Sequence, residues 1–275
     1  MPTSSPAPVP VPVPPVSAAH PAPAATPAEA FARDGAWCVP DLLPAEPLAA
    51  LRAAFAAPLD HEDGRRAGVR GLLDPRRFPQ AAAVRALAVR PEVWGLAAEL
   101  IGPDAVAVRA TLFDKSPGAN WGVMWHRDER VELADRVASP PWTAWKRADG
   151  RWTARPPHEF LLKMVALRVH LDDCGPDAGP LRVRPGSHRL AAPAAAGDAG
   201  EAVGGANVGG GAERACVVPA GGAVAMCPAT LHASGWARFS GAGTKRRRVI
   251  HLEYAPPVPP GGARWPHALR PSRPS

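Results

Sequence analysis

Residues 121–128 read Trp-Gly-Val-Met-Trp-His-Arg-Asp, and this stretch gives the strongest indication of the fold. On a β-strand, residues i and i+2 point to the same face, so His126 and Asp128 direct an imidazole and a carboxylate to one point. His232 lies far downstream, in Leu-His-Ala-Ser at 231–234. Two histidines and one carboxylate from neighbouring strands form a facial triad that binds Fe(II) and leaves coordination positions open. The pattern therefore points to oxygen chemistry on a β scaffold.

The order of the predicted elements indicates an α+β protein that is mainly β. Helical periodicity predicts three helices, at 42–55, 81–89 and 92–101. Strand patterns separated by Gly and Pro turns follow at 105–114, 121–128, 162–172, 181–183, 215–218, 223–227 and 247–254. Helices followed by many short strands predict a double-stranded β-helix (jelly-roll or cupin-like) core, with the N-terminal helices packed outside.

The composition of the ends of the chain sets the predicted domain boundaries. Residues 1–27 are rich in Pro, Ala and Val, which predicts a disordered tail of polyproline character. We assign one domain to residues 28–262 and a C-terminal tail to 263–275. The length of 275 residues and the 46% hydrophobic content are sufficient for one large core.

Two stretches within the domain have the composition of inserts. Residues 129–160 carry three tryptophans, which predicts either a lid or pocket wall, or a loop fixed by ordinary tryptophan packing. Residues 191–212 are rich in Ala and Gly and predict a flexible loop.

Charge and cysteine content restrict the class of partner and compartment. The net charge of +7 is spread along the chain without a nucleic-acid motif, so no nucleic-acid partner is expected. No apolar run is long enough for a membrane span, and no secretory signal precedes the domain. Four scattered cysteines without a C-x-x-C pair predict reduced thiols in a cytoplasmic protein. The oligomeric state is not encoded in these features.

The His-x-acid pattern alone is not specific, because the chain contains four such pairs, beginning at His61, His126, His170 and His251. His61 lies in a polar stretch ahead of the strands, and His251 is followed only by His267. His170 can also pair with His232, but it lies at the end of a strand beside a turn. His126 is flanked by tryptophans and a Gly/Asn-containing approach, and we favour it.

Four ordered stretches resemble the phytanoyl-CoA dioxygenase family of Fe(II)/2-oxoglutarate oxygenases. They are ATLFDKSPG at 110–118 leading into WHRD at 125–128, LDDCGPDAGPLRVRPGSH at 171–188, LHAS at 231–234 and RRVIHLEY at 247–254. Four matches in order are far more specific than one short pattern. The resemblance extends from about residue 28 to about residue 262, and it implies the same jelly-roll fold.

The resemblance implies the residues of the active site. His126, Asp128 and His232 would be the catalytic iron ligands, and Ser234 and Arg247 would bind the distal carboxylate of 2-oxoglutarate. A guanidinium suits this task because it donates two parallel hydrogen bonds to a carboxylate.

Three adjacent arginines compete for the cosubstrate, namely Arg246, Arg247 and Arg248. Alternation places Arg247 on one face and its neighbours on the other, and the match to the family pattern selects Arg247.

The implied reaction is hydroxylation of a small organic substrate with release of succinate and CO₂. Relatives that halogenate carry a small residue in place of the carboxylate, so Asp128 favours hydroxylation. The tryptophans and basic residues of 129–160 suggest a substrate that is apolar or anionic.

The sequence departs from the family pattern at one position and leaves three histidines outside the implied site. Arg127 replaces the usual Gln between the proximal ligands and should point away from the metal. We interpret His170, His188 and His251 as strand or turn residues with local hydrogen bonds.

Three other functions remain compatible with parts of the sequence. The first is a non-catalytic barrel that binds a small ligand. The second is a cupin-type metal-dependent isomerase or hydrolase without 2-oxoglutarate, which the arginine after the distal histidine disfavours. The third is a basic nucleic-acid-binding protein, which salt-dependent DNA binding would support.

Overall fold

The structure is a computed structural model that describes residues 26–59, 68–138, 140–148, 150–190, 212–239 and 246–272. Its helices are α1 (Pro27–Asp34), α2 (Ala45–Ala54), α3 (Ala81–Ala88), α4 (Pro91–Ile101) and α5 (His158–Leu161). Its strands are β1 (Ala36–Val39), β2 (Val69–Arg70), β3 (Val106–Lys115), β4 (Val123–His126), β5 (Val131–Leu133), β6 (Thr143–Ala148), β7 (Arg151–Arg155), β8 (Val165–His170), β9 (Leu181–Val183), β10 (Arg214–Cys216), β11 (Ala223–Met226), β12 (His232–Ser234) and β13 (Arg247–Ala255). Every predicted helix and strand is present, most with shifted ends, and the prediction missed α1, β1, β2, α5, β5 to β7 and β12. The predicted loop at 191–212 lies almost entirely outside the described residues.

Two antiparallel sheets form the core of the domain. The larger has six strands in the order β1-β11-β8-β13-β3-β2, and the smaller has four in the order β10-β9-β12-β4. From β8 onward the chain passes repeatedly between the sheets, with β8, β11 and β13 in the large sheet and β9, β10 and β12 in the small one, as in a jelly roll. The predicted mainly β, double-stranded β-helix fold is confirmed.

The large sheet has an apolar outer face and a polar inner face. On β13, Ile250, Leu252 and Tyr254 belong to the same buried cluster as the residues of α2, α3 and α4. The Tyr254 hydroxyl donates to the carbonyl of Ala88 over 2.9 Å. The N-terminal helices therefore cover the outer face, as predicted, while the alternate residues of β13, such as His251, face the inside of the barrel.

The insert at 129–160 forms a third sheet, in the order β5-β7-β6, rather than a loop. Trp142 is 6% exposed, and its indole N–H donates to the carbonyl of Pro260 over 2.8 Å. Its ring packs edge-on against Phe160, whose own ring stacks on Trp265. Ordinary tryptophan packing therefore explains Trp142.

The two predicted domain boundaries fall near ordered elements. Thr26 caps α1, with its side chain accepting from the Glu29 amide and the Glu29 carboxylate accepting from the Thr26 amide. Residues 1–25, most of the predicted N-terminal tail, lie outside the described residues. In the predicted C-terminal tail, Trp265 is 8% exposed and Leu269 forms a β-bridge with Ala107. This part of the tail contributes to the core.

Membrane spans and cysteines can both be assessed in the described residues. Within the residues that the structure describes, no helix combines the length and apolar character needed to cross a bilayer. The four cysteines, Cys38, Cys174, Cys216 and Cys227, are free thiols, as predicted.

Candidate metal centre

The structure brings His126, Asp128 and His232 together at one end of the small sheet. His126 ends β4 and His232 begins β12, and the two are register partners. Asp128 lies two residues beyond β4, where its backbone N–H donates to the carbonyl of Pro228 over 2.9 Å. The Asp128 carboxylate oxygens lie 3.6 Å from each histidine Nε2, and one ligand atom from each residue lies within 4.8 Å of the others.

Both imidazoles are fixed in the tautomer that suits a metal ligand. Nδ1 of His126 lies 2.8 Å from the carbonyl oxygen of Met124, and Nδ1 of His232 lies 2.8 Å from that of Thr230. Because a carbonyl only accepts, each Nδ1 carries the hydrogen and each Nε2 keeps its lone pair. Two imidazole nitrogens and one carboxylate are the donor set of a facial triad, so these residues fit Fe(II).

Electrostatics also favour a cation at this point. Burial lowers the pKa of His232 to about 3, so its imidazole is neutral. Burial disfavours the charge of Asp128, but the adjacent His232 and His126 hold its pKa well below the ordinary value. Burial likewise opposes the cationic form of His126, yet the negative charge of Asp128, 3.6 Å from its Nε2, raises its pKa. A neutral His232 and an ionised Asp128 beside His126 therefore form a donor set that suits a metal cation.

A cavity opens beside the three residues and extends into the barrel. Besides the triad, its lining residues are Phe113, Lys115, Trp121, Val123, Arg168, Leu181, Ala233, Ser234 and Arg247. Only Trp121 among the lining residues is a tryptophan. The described tryptophans of the 129–160 insert are not among the lining residues, which favours the alternative of ordinary tryptophan packing for them.

Arg247 faces this cavity, and its two arginine neighbours do not. Its side chain is 2% exposed, with Nε donating to the carbonyl of Ala178 over 3.3 Å and Nη2 to that of Gly179 over 3.1 Å. Arg246 instead donates from Nε to Asp114 over 2.9 Å, and Arg248 donates to Asp172 over 2.8 Å. The alternation predicted for the three arginines is therefore present.

Lys115 completes a cationic end of the cavity, and the sequence analysis missed it. It is the register partner of Arg247 on β3, and its Nζ donates to Ser234 Oγ over 3.2 Å and to the carbonyl of Gly235 over 2.6 Å. Burial, together with the charges of Arg247 and Arg168, lowers its pKa to about 7. Lys115 lies within the quoted stretch 110–118, on the face that alternation gives to Phe113, so its position could have been predicted.

Arg168 is the third cavity cation, and it was also missed because it lies within a strand that is apolar in sequence. Its Nη1 donates to Nδ1 of His251 over 2.9 Å. His251, interpreted above as a residue with only local bonds, therefore orients a side chain of the cavity.

The other histidines discussed from the sequence, and Arg127, do not line the cavity. His170 has both ring nitrogens buried without a hydrogen-bond partner among the described residues, so the local bond expected for it is wrong. His188 makes its expected contact, from Nε2 to the carbonyl of Ala32 over 3.2 Å. Arg127 points away from the triad, as expected, and donates to the carbonyl of Ser187. The cations that reach the cavity are Lys115, Arg168 and Arg247 rather than the basic residues of the insert.

Comparisons with known proteins agree with this geometry. A family model described as phytanoyl-CoA dioxygenase (PhyH) matches residues 31–242. AviO1 from Streptomyces viridochromogenes Tue57 is similar at 25% identity and a TM-score of 0.54, over 85% of this chain and 95% of that protein. A comparison with curated proteins gives no significant sequence match.

Two further solved structures share the fold at lower identity. The non-heme alpha-ketoglutarate-dependent epimerase SnoN from nogalamycin biosynthesis has a TM-score of 0.56 at 18% identity, over 83% of this chain and 79% of its own. HygX from Streptomyces hygroscopicus, with nickel and 2-oxoglutarate bound, has a TM-score of 0.54 at 16% identity, over 82% and 84% of the two chains.

Proposed function

The chain belongs to the phytanoyl-CoA dioxygenase family of non-heme Fe(II)/2-oxoglutarate oxygenases, and we propose that it hydroxylates a small organic substrate and releases succinate and CO₂. The observation that carries this proposal is the convergence of two imidazole Nε2 atoms and one carboxylate beside an internal cavity with a cationic end. We assign the activity to residues 28–262.

In this proposal His126, Asp128 and His232 hold Fe(II). The backbone carbonyls that accept from each Nδ1 orient the rings before the metal arrives, so binding requires no change of tautomer. A triad of this kind occupies one face of the metal and leaves the opposite face for the cosubstrate and oxygen. HygX, which shares the fold, has been solved with iron bound.

Arg247, Lys115 and Ser234 bind the distal carboxylate of 2-oxoglutarate. The two carbonyls that accept from Arg247 use Nε and Nη2, which fixes the plane of the guanidinium toward the cavity. Lys115 and Ser234 are already hydrogen-bonded to each other beside it. A carboxylate placed here would accept charge-assisted hydrogen bonds in a site from which water is largely excluded.

Fe(II) held by the triad, together with 2-oxoglutarate, would supply the oxidising chemistry: 2-oxoglutarate and O₂ would yield succinate and CO₂, with one oxygen atom in succinate and the other inserted into a C–H bond of the substrate. The protein positions the substrate against this centre and keeps water away. Trp121, Val123 and Leu181 give the cavity its apolar wall, which suits an apolar portion of a small molecule. Because Asp128 would be the third protein ligand of the metal, in the place that a halide would need, hydroxylation is favoured over halogenation.

Anaerobic titration tests the cosubstrate site directly. Purified protein is mixed with Fe(II) and then with 2-oxoglutarate, and the weak visible charge-transfer band of the chelate is recorded. We expect the band in the unmodified protein, its loss in His126→Ala and a higher 2-oxoglutarate concentration for half-saturation in Arg247→Ala.

Each other outcome supports a different function. Bound metal without the band would support a cupin-type enzyme that does not use 2-oxoglutarate, and no bound metal would support a non-catalytic barrel. Substrate candidates are then screened by mass spectrometry. A product heavier by one oxygen atom supports hydroxylation, whereas an isomer of unchanged mass would support epimerisation.

A further inference from the structure

The cavity contains one more cation than the distal carboxylate of 2-oxoglutarate needs. Arg247 and Lys115 lie side by side as register partners and serve that carboxylate in the proposed function. Arg168 lines the same cavity but lies in the middle of β8, and the proposed function gives its side chain no ligand.

Neighbouring side chains fix the Arg168 side chain in place. Its Nη1 donates to Nδ1 of His251 over 2.9 Å, and its guanidinium carbon lies 5.0 Å from the centre of the Phe113 ring. Nε2 of His251 lies 3.2 Å from a carboxylate oxygen of Glu253, which also accepts from Arg109 Nε over 2.7 Å. Since Arg168 can only donate and an ionised Glu253 can only accept, His251 is the neutral tautomer with its hydrogen on Nε2. This chain fixes the direction of the Arg168 guanidinium.

On its cavity side, the Arg168 guanidinium forms no ion pair with a described carboxylate. The residue is 7% exposed, and its Nε is buried without a hydrogen-bond partner within the described residues. Among the residues that the structure describes, no carboxylate lies within ion-pair distance of the Arg168 guanidinium. Burial and the charge of Arg247 lower its pKa to about 10, so it remains a cation at neutral pH. The charge of Asp128 acts on Arg168 only from beyond ion-pair distance, so the buried guanidinium has no direct counter-charge among the described residues, and an anionic ligand would supply one.

The position of Arg168 in the barrel indicates which anionic group it could bind. Its register partner His251 lies four residues from Arg247 along β13, which is about 13 Å of strand. The backbones that carry the two guanidinium groups are thus well separated along the barrel. Arg168 lines the cavity together with the triad and Lys115, at a level of the barrel different from that of Arg247.

We propose that Arg168 binds the carboxylate next to the ketone of 2-oxoglutarate, the one at the metal end, while Arg247 and Lys115 bind the far carboxylate. This inference rests on the proposed function, because it assumes that 2-oxoglutarate occupies the cavity. It makes Arg168 a positioning residue for the cosubstrate, and His251 and Glu253 act through it.

A pair of matched ligands separates the two carboxylates. 2-Oxopentanoate has the same carbon chain as 2-oxoglutarate but carries a methyl group in place of the far carboxylate. Dissociation constants of both ligands are measured anaerobically on the Fe(II)-loaded protein, so no turnover is needed. We expect Arg168→Gln to weaken both ligands by the same factor, about tenfold or more, because each loses one charged hydrogen-bond partner. We expect Arg247→Gln to weaken 2-oxoglutarate only.

A second variant protects the test against loss of folding. Thermal unfolding is recorded for each protein, and Arg168→Lys, which keeps the charge, is measured alongside Arg168→Gln. If the Gln variant does not fold, the Lys variant must still weaken both ligands by an equal, smaller factor.

Three results would overturn the inference. Weaker binding of 2-oxoglutarate alone in the Arg168 variants would move Arg168 to the far carboxylate. Unchanged binding of both ligands would leave Arg168 to an anionic group of the substrate or to the core. Failure of the unmodified protein to bind 2-oxoglutarate at all would instead overturn the proposed function, and this inference with it.

Discussion

His126 and His232 face each other across adjacent antiparallel strands, and their ring centroids lie 4.2 Å apart. The strand register, rather than a flexible connection, therefore sets the spacing of these two residues. The pairing of β12 with β4 shifts by one residue after His232, so that Ser234 is paired with Val123. A metal site on two paired strands is preorganised, because the ladder hydrogen bonds hold both backbones.

Replacement of Asp128 by alanine should abolish Fe(II)-dependent conversion of 2-oxoglutarate to succinate. The change removes the only carboxylate of the triad and leaves two imidazoles, which bind Fe(II) more weakly. Succinate formation is the measurement. Asp135→Ala is the matched control, since Asp135 is an exposed carboxylate that pairs with Arg264. Equal turnover in the Asp128 variant would rule out the triad.

Replacement of Arg247, but not of Arg246, should weaken 2-oxoglutarate binding. Arg247→Gln removes a buried cation from the cavity and should raise the dissociation constant about 10- to 100-fold, the value of a charged hydrogen bond. Arg246→Gln changes the adjacent residue on the opposite face, where the side chain pairs with Asp114. Anaerobic titration of both variants is the measurement, and equal weakening by the two would contradict the assignment.

Binding of 2-oxoglutarate should weaken as the pH rises above 7, because of Lys115. Its pKa of about 7 in the free protein means that Lys115 is a cation below this pH and neutral above it. A bound dianion favours the cation, so above pH 7 binding must take up a proton. The affinity then falls by up to about tenfold for each pH unit.

The Lys115→Met variant isolates this effect. It should bind 2-oxoglutarate more weakly than the unmodified protein at pH 6, and its affinity should not follow the same pH dependence. Titrations from about pH 6 to about pH 9 cover both sides of the pKa. A slope in the Met variant equal to that of the unmodified protein would assign the pH dependence to another group.

Replacement of Gly179 by alanine should destabilise the protein and disturb Arg247. Gly179 has φ +63°, and a Cβ there would lie 2.5 Å from the carbonyl oxygen of Gly235. Gly262→Ala is the matched control, because Gly262 has φ +73° with open space around a Cβ. We expect the Gly179 variant to lose about 1–3 kcal/mol more free energy of unfolding than the control. Denaturant unfolding of both variants checks this, and equal losses would show that the contact with Gly235 is unimportant.

Local patterns were sufficient for most of the jelly roll, whereas His126, Asp128 and His232 were selected by the family resemblance. Alternation along β13 predicted that Arg247 points away from its neighbours, and this depends only on the two-residue period of a strand. His126 and His232 could be paired because both occur in short strands with recognisable motifs. Asp128 lies beyond β4 rather than on it, and a hydrogen bond to Pro228 holds it in place.

Features that depend on contacts between distant strands were not predictable in the same way. Arg168 is one cation in a long apolar strand, and its role depends on meeting His251 of β13 across the sheet. The insert at 129–160 was predicted as a loop because its three strands are short and its tryptophans suggested a pocket. Its strands form through pairing with each other, and the Trp142 ring packs against the core residue Phe160.

The carbonyls that fix the two imidazoles belong to Met124 and Thr230, and a main-chain carbonyl is the same whichever side chain is present. The Met124 side chain is 70% exposed. Evolution can therefore change residue 124 without altering the tautomer of His126, and the rim beside the iron site is free to diverge between relatives. Thr230 lacks this freedom, since its hydroxyl donates to the carbonyl of Gly35. One ligand strand is thus open to sequence drift, while the other is constrained by the core.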